Sequence, residues 1–233
     1  IRDRFIAYSN IKILENDSMK LYGDSLHYFG NEEKAFLYGN VKLITNQILL
    51  NANSLIYDQN NNYAYYDDGG IIKHHGKNYT INSKVGRFNS INKVLFFKKN
   101  VRLEHIDYQI FSDTLVYHTE TEKTNIIGDT KIKSRNSTIS CSKGWFDNNN
   151  QTSSLKGNIV IDSKNYQFYA DSIFYQEKKG EAFAKGEVKI IDDSSQTVII
   201  GQYGYHNENK DSARIWEHAI TVSYTHLRAH ETG

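Results

Sequence analysis

The sequence predicts an all-β chain built from tandem repeats near 30 residues long, with two strands to each repeat. A recurring aromatic column, a recurring glycine-like turn position and apolar alternation of period two carry that prediction. The aromatic column runs Tyr28, Tyr57, Phe88, Tyr117, Phe146, Tyr175 and Tyr205, at spacings of 29, 31, 29, 29, 29 and 30 residues. Aromatics make up 13% of the chain, so seven hits in seven slots would arise by chance about once in a million trials at a fixed register, and freedom of register recovers only part of that.

The turn column follows each aromatic and opens a short β run. Its members are Gly39-Asn40-Val41-Lys42-Leu43, Gly69-Gly70-Ile71-Ile72-Lys73, Lys99-Asn100-Val101-Arg102-Leu103 and Gly128-Asp129-Thr130-Lys131-Ile132. Gly157-Asn158-Ile159-Val160-Ile161 and Gly186-Glu187-Val188-Lys189-Ile190 continue it. Ser9-Asn10-Ile11-Lys12-Ile13 fits one repeat earlier, so the chain is expected to begin inside a repeat, and Arg214 to Val222 reads as a degraded last copy. In each copy the first strand ends at the aromatic, as in Asp171-Ser172-Ile173-Phe174-Tyr175. A polar turn such as Asp58 to Asn62 leads into the second strand, and another such as Asp162 to Asn165 leads to the next copy. The helical period of 3.6 is missing.

Alternation assigns the faces. Leu26 with Tyr28, Leu55 with Tyr57, Leu115 with Tyr117 and Ile173 with Tyr175 share one side of the first strand. Leu37, Val41 and Leu43 share a side of the second strand, as do Leu155, Ile159 and Ile161. A single copy cannot bury such a face, so the copies have to stack. Each large side chain then buried contributes about 1.5–3 kcal/mol, enough for six or seven copies to hold a core.

Composition narrows the function. With 28 basic and 27 acidic side chains the net charge is +1, which lacks the basic excess of a nucleic-acid binder. One cysteine, Cys141, rules out an internal disulfide framework. No apolar run reaches the length of a membrane-spanning helix. A signal peptide would lie upstream of Ile1. Residues 223–233 read as translated adapter sequence and are set aside, leaving 1–222 as one repeat domain.

The repeat, Ala/Gly-Asp/Asn-Ser-Leu/Ile-x-Tyr, a polar turn, then Ala-x-x-x-Gly-Asn/Glu-Val-x-Leu/Ile, resembles the OstA-like repeat. Ala170 to Ile190, Gly23 to Leu43 and Ala52 to Tyr57 are its best copies, and the resemblance spans about residues 5–222. Copy three departs from it, with Lys84 at the acidic position and Lys99 in place of glycine. The family includes the lipopolysaccharide-transport protein LptA and the N-terminal domain of the outer-membrane assembly protein LptD. The resemblance implies an open twisted β-jellyroll of two facing antiparallel sheets in the periplasm of a Gram-negative bacterium. It further implies no enzymatic activity, an apolar groove for the acyl chains of lipopolysaccharide or a related amphiphile, and edge-strand pairing with other jellyroll transport components or with itself. The groove candidates are Leu26, Tyr28, Leu37, Val41, Leu43, Leu55, Tyr57, Val101, Leu103, Leu115, Tyr117, Ile132, Leu155, Ile159, Ile161, Ile173, Tyr175, Val188 and Ile190. The competing reading of the same residues is a closed, dry core.

Other features have plainer readings beside functional ones. Lys12, Lys42, Arg102, Lys131 and Lys189, interrupted by Ile72 and Val160, form a basic column that suits either a solvated strand face or lipid phosphates. Asp24, Asp113 and Asp171 recur like a calcium ladder, but the tight Gly/Asp nonapeptides of calcium-binding rolls are missing, so a bend-stabilising role is expected. His74-His75 lacks a third metal ligand at sensible spacing. Cys141 falls in a small-residue slot and reads as packing rather than as a nucleophile, and Trp145 and Trp216 read as surface aromatics. No phosphate loop, serine elbow or dinucleotide fingerprint is present, and no cofactor is implied. Two other classes compete with lipid transport. A structural or adhesive β-solenoid would have a sealed core, and a parallel β-helix acting on polysaccharides would need three strands per rung and clustered acids.

Overall fold

The computed structural model describes residues 4–15, 19–89, 91–210 and 212–223. All of the regular structure there is β, apart from three single 3-10 turns. Of the tail set aside, only Ser223 lies within the described residues, where it pairs with Thr197. The chain divides into two compact units, Ile1–Ile132 and Lys133–Gly233.

Unit 1 holds β1 (Arg4–Glu15), β2 (Met19–Phe29), β3 (Lys34–Thr45), β4 (Ile48–Asp58), β5 (Tyr63–Tyr66), β6 (Gly70–His74), β7 (Thr80–Ser83), β8 (Val85–Asn89), β9 (Val94–Glu104) and β10 (Tyr108–His118). The boundary falls near the end of β11 (Lys123–Ser134). Unit 2 holds β12 (Ser137–Asp147), β13 (Thr152–Ser163), β14 (Tyr166–Gln176), β15 (Glu181–Asp192), β16 (Thr197–Asn207), β17 (Ser212–Trp216) and β18 (Ile220–Ser223). Successive strands pair antiparallel in both units, as in β2 with β3 and β14 with β15. The all-β class and the two strands per repeat expected from the sequence are present.

Every second long strand carries a bulge at its middle, placed there by the turn column. Between Tyr38 and Val41 the register slips, and Gly39 and Asn40 both take left-handed backbone, at φ 71° and 47°. The extra residues bend the strand and re-aim the side chains beyond the bulge. Lys99-Asn100, Gly157-Asn158 and Gly186-Glu187 repeat the left-handed pair. The recurring aspartates sit over these corners. A Cβ on Gly39 would collide with the Asp24 carboxylate, and one on Gly186 with that of Asp171. Asp24 also accepts a 2.8 Å hydrogen bond from the Asn40 amide. The aspartates therefore fasten the bends, in line with the sequence expectation.

The bend gives every long strand two arms. In unit 1 the break at residues 67–69 separates them outright: the C-terminal half of β4 pairs with β5 and its N-terminal half with β6. The inner faces of the arms meet at the corner. In unit 2, Phe168, Ala170 and Val188 from one arm pack with Ile173, Ala184 and Ile215 from the other. Two strands expected to be continuous are each split into two, the second strand of copy two into β5 and β6 and the first strand of copy three into β7 and β8. The cause is Tyr66, whose ring fills the corner at 2% exposure and whose hydroxyl meets Ser83 Oγ at 2.7 Å. Gly70 and Gly86 lie under that ring, where an added Cβ at either position would collide with it.

Two register corrections emerge. The aromatic column is a true cross-strand row, Tyr28–Ala35–Tyr57–Ala64–Phe88–Leu95–Tyr117, with large and small residues alternating until Leu95. In unit 2 it continues Phe146–Ser153–Tyr175–Ala182–His206. His206, not Tyr205, is thus its last member. One residue of offset flips a side chain to the other face, and Tyr205 lies there against Phe183 at 5.1 Å. The turn chemistry agrees: Asp58, Asp147 and Asn207 each follow the row residue and accept a backbone N–H three positions on. In the basic column the interruption is Ile71, paired with Asn51 and Asn82, whereas Ile72 points inward.

Candidate functional site

The inner lining follows from the registers. On the arm that holds the aromatic row, Ala7, Leu26, Leu37 and Leu55 are direct neighbours across β1 to β4. On the other arm, Ile13–Leu21–Leu43–Leu50–Ile72–Ile81–Leu103–Ile110 forms an unbroken aliphatic row over eight strands. Unit 2 carries the counterpart Ile139–Ile161–Phe168–Ile190–Ile199. Period-two alternation put these residues on one face, and the antiparallel register lined them up.

None of the nineteen groove candidates is exposed, and their burial is graded from the corner outward. Leu37, Val41, Leu55, Val101, Leu115, Ile159 and Val188, all near bends, are sealed from water. Tyr28, Tyr57 and Tyr175 near one rim, and Leu43, Ile132, Ile161 and Ile190 toward the other, are half-buried, as is Ile173. Leu26, Leu103, Tyr117 and Leu155 are buried. Leu21, Leu50, Ile72, Ile81, Leu95, Phe97 and Ile110 also belong to the lining, although sequence reasoning left them out. Ile13, Leu21, Leu50, Ile81 and Ile110 lie away from the repeat's signature positions; the strand pairing brings them into the row.

The lining is not sealed evenly. From β6 to β10 most of the lining of both arms is buried, from Ile72 and Ile81 to Leu115 and Tyr117, with Phe88 half-buried. There the turn between β6 and β7 reaches the opposite rim, where Lys77 Nζ donates to Glu122 Oε1 at 2.6 Å and to the Tyr117 hydroxyl at 3.0 Å. The ammonium also stands 5.7 Å from the centre of the Tyr117 ring. Burial alone would lower the Lys77 pKa, but the bonds to Glu122 and Tyr117 outweigh it and hold the group above its ordinary value. Beneath this contact, burial pushes the Tyr79 and Tyr108 phenols up. The His74 ring lies 5.1 Å from that of Tyr79, and its own pKa is lowered by burial first and by Lys77 next.

The outer face of the second arm alternates cations with aromatics. Lys12, Tyr22, Lys42 and Asn51 are successive neighbours, Arg102 stands over Phe111 at 5.5 Å, and Lys189 stands over Tyr169 at 5.7 Å. Arg102 also pairs with Glu104. Cys141 is buried in its small-residue slot, and burial pushes its thiol up to about 11, which suits packing. Trp145 lies half-buried beside Phe174, and Trp216 stacks on Tyr203 in the open. Among the described residues no helix could span a membrane, and no three His, Cys, Asp or Glu side chains group as a metal site.

These features define, in each unit, a two-armed antiparallel β-structure with an apolar lining and, among the described residues, no metal-ligating cluster. A family model is more specific: residues 2–113 match the model of the OstA-like protein family. Among solved structures the chain is similar to LptH, described as the LptA-homologous periplasmic component of the lipopolysaccharide transport device of Pseudomonas aeruginosa. The identity is 11% over 70% of this chain and 82% of that one, with a TM-score of 0.23. No curated protein matches.

Proposed function

We propose that the protein is a non-enzymatic, periplasmic carrier in lipopolysaccharide transport, which holds acyl chains of lipopolysaccharide or a related amphiphile between its two arms and hands them on. The observation that carries this reading is the aliphatic row over eight strands, Ile13 to Ile110, inside the segment that matches the OstA-like family model. Seven strand spacings give a lining about 34 Å long. An extended acyl chain spans half a bilayer core, about 15 Å, so the lining has room for one or two end to end. Such a role needs no catalysis, because apolar side chains shield the acyl chains from water and hand-over follows from weak, repeated contacts.

Edge pairing with other jellyroll components, or with a second copy, completes the proposal. Phe5, Tyr8 and Leu14 on β1 and Ile220 and Val222 on β18 leave large apolar side chains in the open. Neither strand contains a proline to block a new ladder.

The sealed stretch of unit 1 favours the other reading, a structural β-solenoid with a dry core. Photocrosslinking separates the two. A benzophenone side chain at half-buried Ile161 or Ile190 is expected to form adducts with lipopolysaccharide, and one at outward-facing Lys131 is not. Equal labelling at all three positions, or none, would overturn the carrier reading.

A further inference from the structure

The contact between Lys77 and Glu122 joins residues 45 apart in sequence, each in a turn at the rim of a different arm. It is the kind of contact that holds the lining shut. Under it Ile72, Ile81, Leu95, Leu103 and Ile110 are buried. In unit 2 the corresponding turns carry Lys164 with Asn165 and Asp193 to Gln196, and the row beneath them, Ile139 to Ile199, is half-buried throughout. The fastening is also a weak one. Both partners keep about a third of their side-chain surface in water, at 33% and 36% exposure. Ion pairs so placed are loosened by salt and by ordinary fluctuation.

We propose that Lys77 and Glu122 form a reversible latch across unit 1, which has to open before an acyl chain can enter the lining from β6 to β10. The proposal rests on the carrier reading, since it assigns a gate to that same lining. Tyr117 takes part as a positioning residue: its hydroxyl shares the ammonium with Glu122, which fixes where the turn lands. Tyr79 and Tyr108 then roof the row with phenols whose pKa burial holds up while the latch is closed.

Two measurements on the full chain test the latch and the carrier reading separately. The first uses no lipid: hydrogen exchange of the β7 and β10 amides. Lys77→Ala is expected to speed it several-fold, and the charge swap Lys77→Glu with Glu122→Lys to bring it back toward the starting rate. The second is uptake of cis-parinaric acid, a fluorescent fatty acid, which should associate several-fold faster with Lys77→Ala and at the original rate with the swap. Raising the salt should quicken uptake by the unmodified protein and leave Lys77→Ala unchanged. Unaltered exchange in Lys77→Ala would overturn the latch even if the protein binds the probe. Altered exchange with no probe bound by any form would instead overturn the carrier reading, and the gate with it.

Discussion

The two units run the same repeat to different ends. In unit 1 the aliphatic row is buried from Leu50 to Ile110, whereas in unit 2 every member from Ile139 to Ile199 stays half-buried. Strand chemistry does not explain this, because both rows are large apolar side chains, Ile and Leu in unit 1 and Ile and Phe in unit 2, in the same antiparallel register. The turns do. Unit 1 places Lys77, Tyr79 and Tyr108 at one rim and Glu122 at the other, and it fills its corner with Tyr66. Strands therefore set what the lining is made of, and the turns and corners set how far it is closed.

The largest expected effect tests that division in the core. Phe97 is fully buried, and truncating such a side chain to alanine costs about 3–5 kcal/mol through lost burial and the cavity left behind. Ile190, half-buried, has less burial to lose and a lining that opens to water. Urea titration is expected to lower the stability of Phe97→Ala by at least twice as much as that of Ile190→Ala. Equal losses would mean that unit 2 is as tightly packed as unit 1, and the contrast would break.

A smaller effect is expected at the corners. At Gly86 an added methyl group collides with the Tyr66 ring, itself held by Ser83, so the cost of Gly86→Ala is about 1–3 kcal/mol. At Gly204 in unit 2 the nearest atom is a Val188 methyl at 3.2 Å, and a shift of a few tenths of an ångström relieves it. Gly204→Ala should thus be the milder change in the same titration. The double variant Gly86→Ala with Tyr66→Leu should recover part of the loss, and failure to recover would show that Tyr66 does not set the corner.

Much of this was legible in the sequence because the repeat writes the same instruction seven times. Period two fixed the inner face, and the glycine column marked the bends, down to Asp24 and Asp171 over Gly39 and Gly186. What escaped depends on a single residue of offset or on contacts distant in sequence. Tyr205 matched the aromatic column by composition, but the residue that precedes the turn-forming Asn207 is His206, and pairing decides such cases where spacing cannot. Of the two split strands, only the one in copy three came with a visible departure, Lys84 with Lys99, although the group responsible is Tyr66. Lys77 and Glu122 belong to no column at all. Nothing in the local sequence of either turn announces that the two rims meet there.

The smallest expected effect asks how far water enters unit 2. Cys141 lies near the bend of β12, and burial holds its thiol at about 11. At pH 8 that leaves about a hundredfold less thiolate than an ordinary cysteine has, while the higher basicity returns about tenfold in nucleophilicity. Because the thiol is also shielded from reagent, alkylation by iodoacetamide is expected to run at least about tenfold slower in the folded protein than in urea, with the folded rate still climbing as pH rises through 9 and 10. The half-buried rims would then be ajar over a dry corner, the arrangement an acyl chain needs if it is to lie on Ile161 and Ile190 without reaching the bend. A folded rate that matches the unfolded one, or that levels off near pH 9, would put water at the corner itself. Unit 2 would then be open through its whole depth, with no apolar floor for a lipid to rest on.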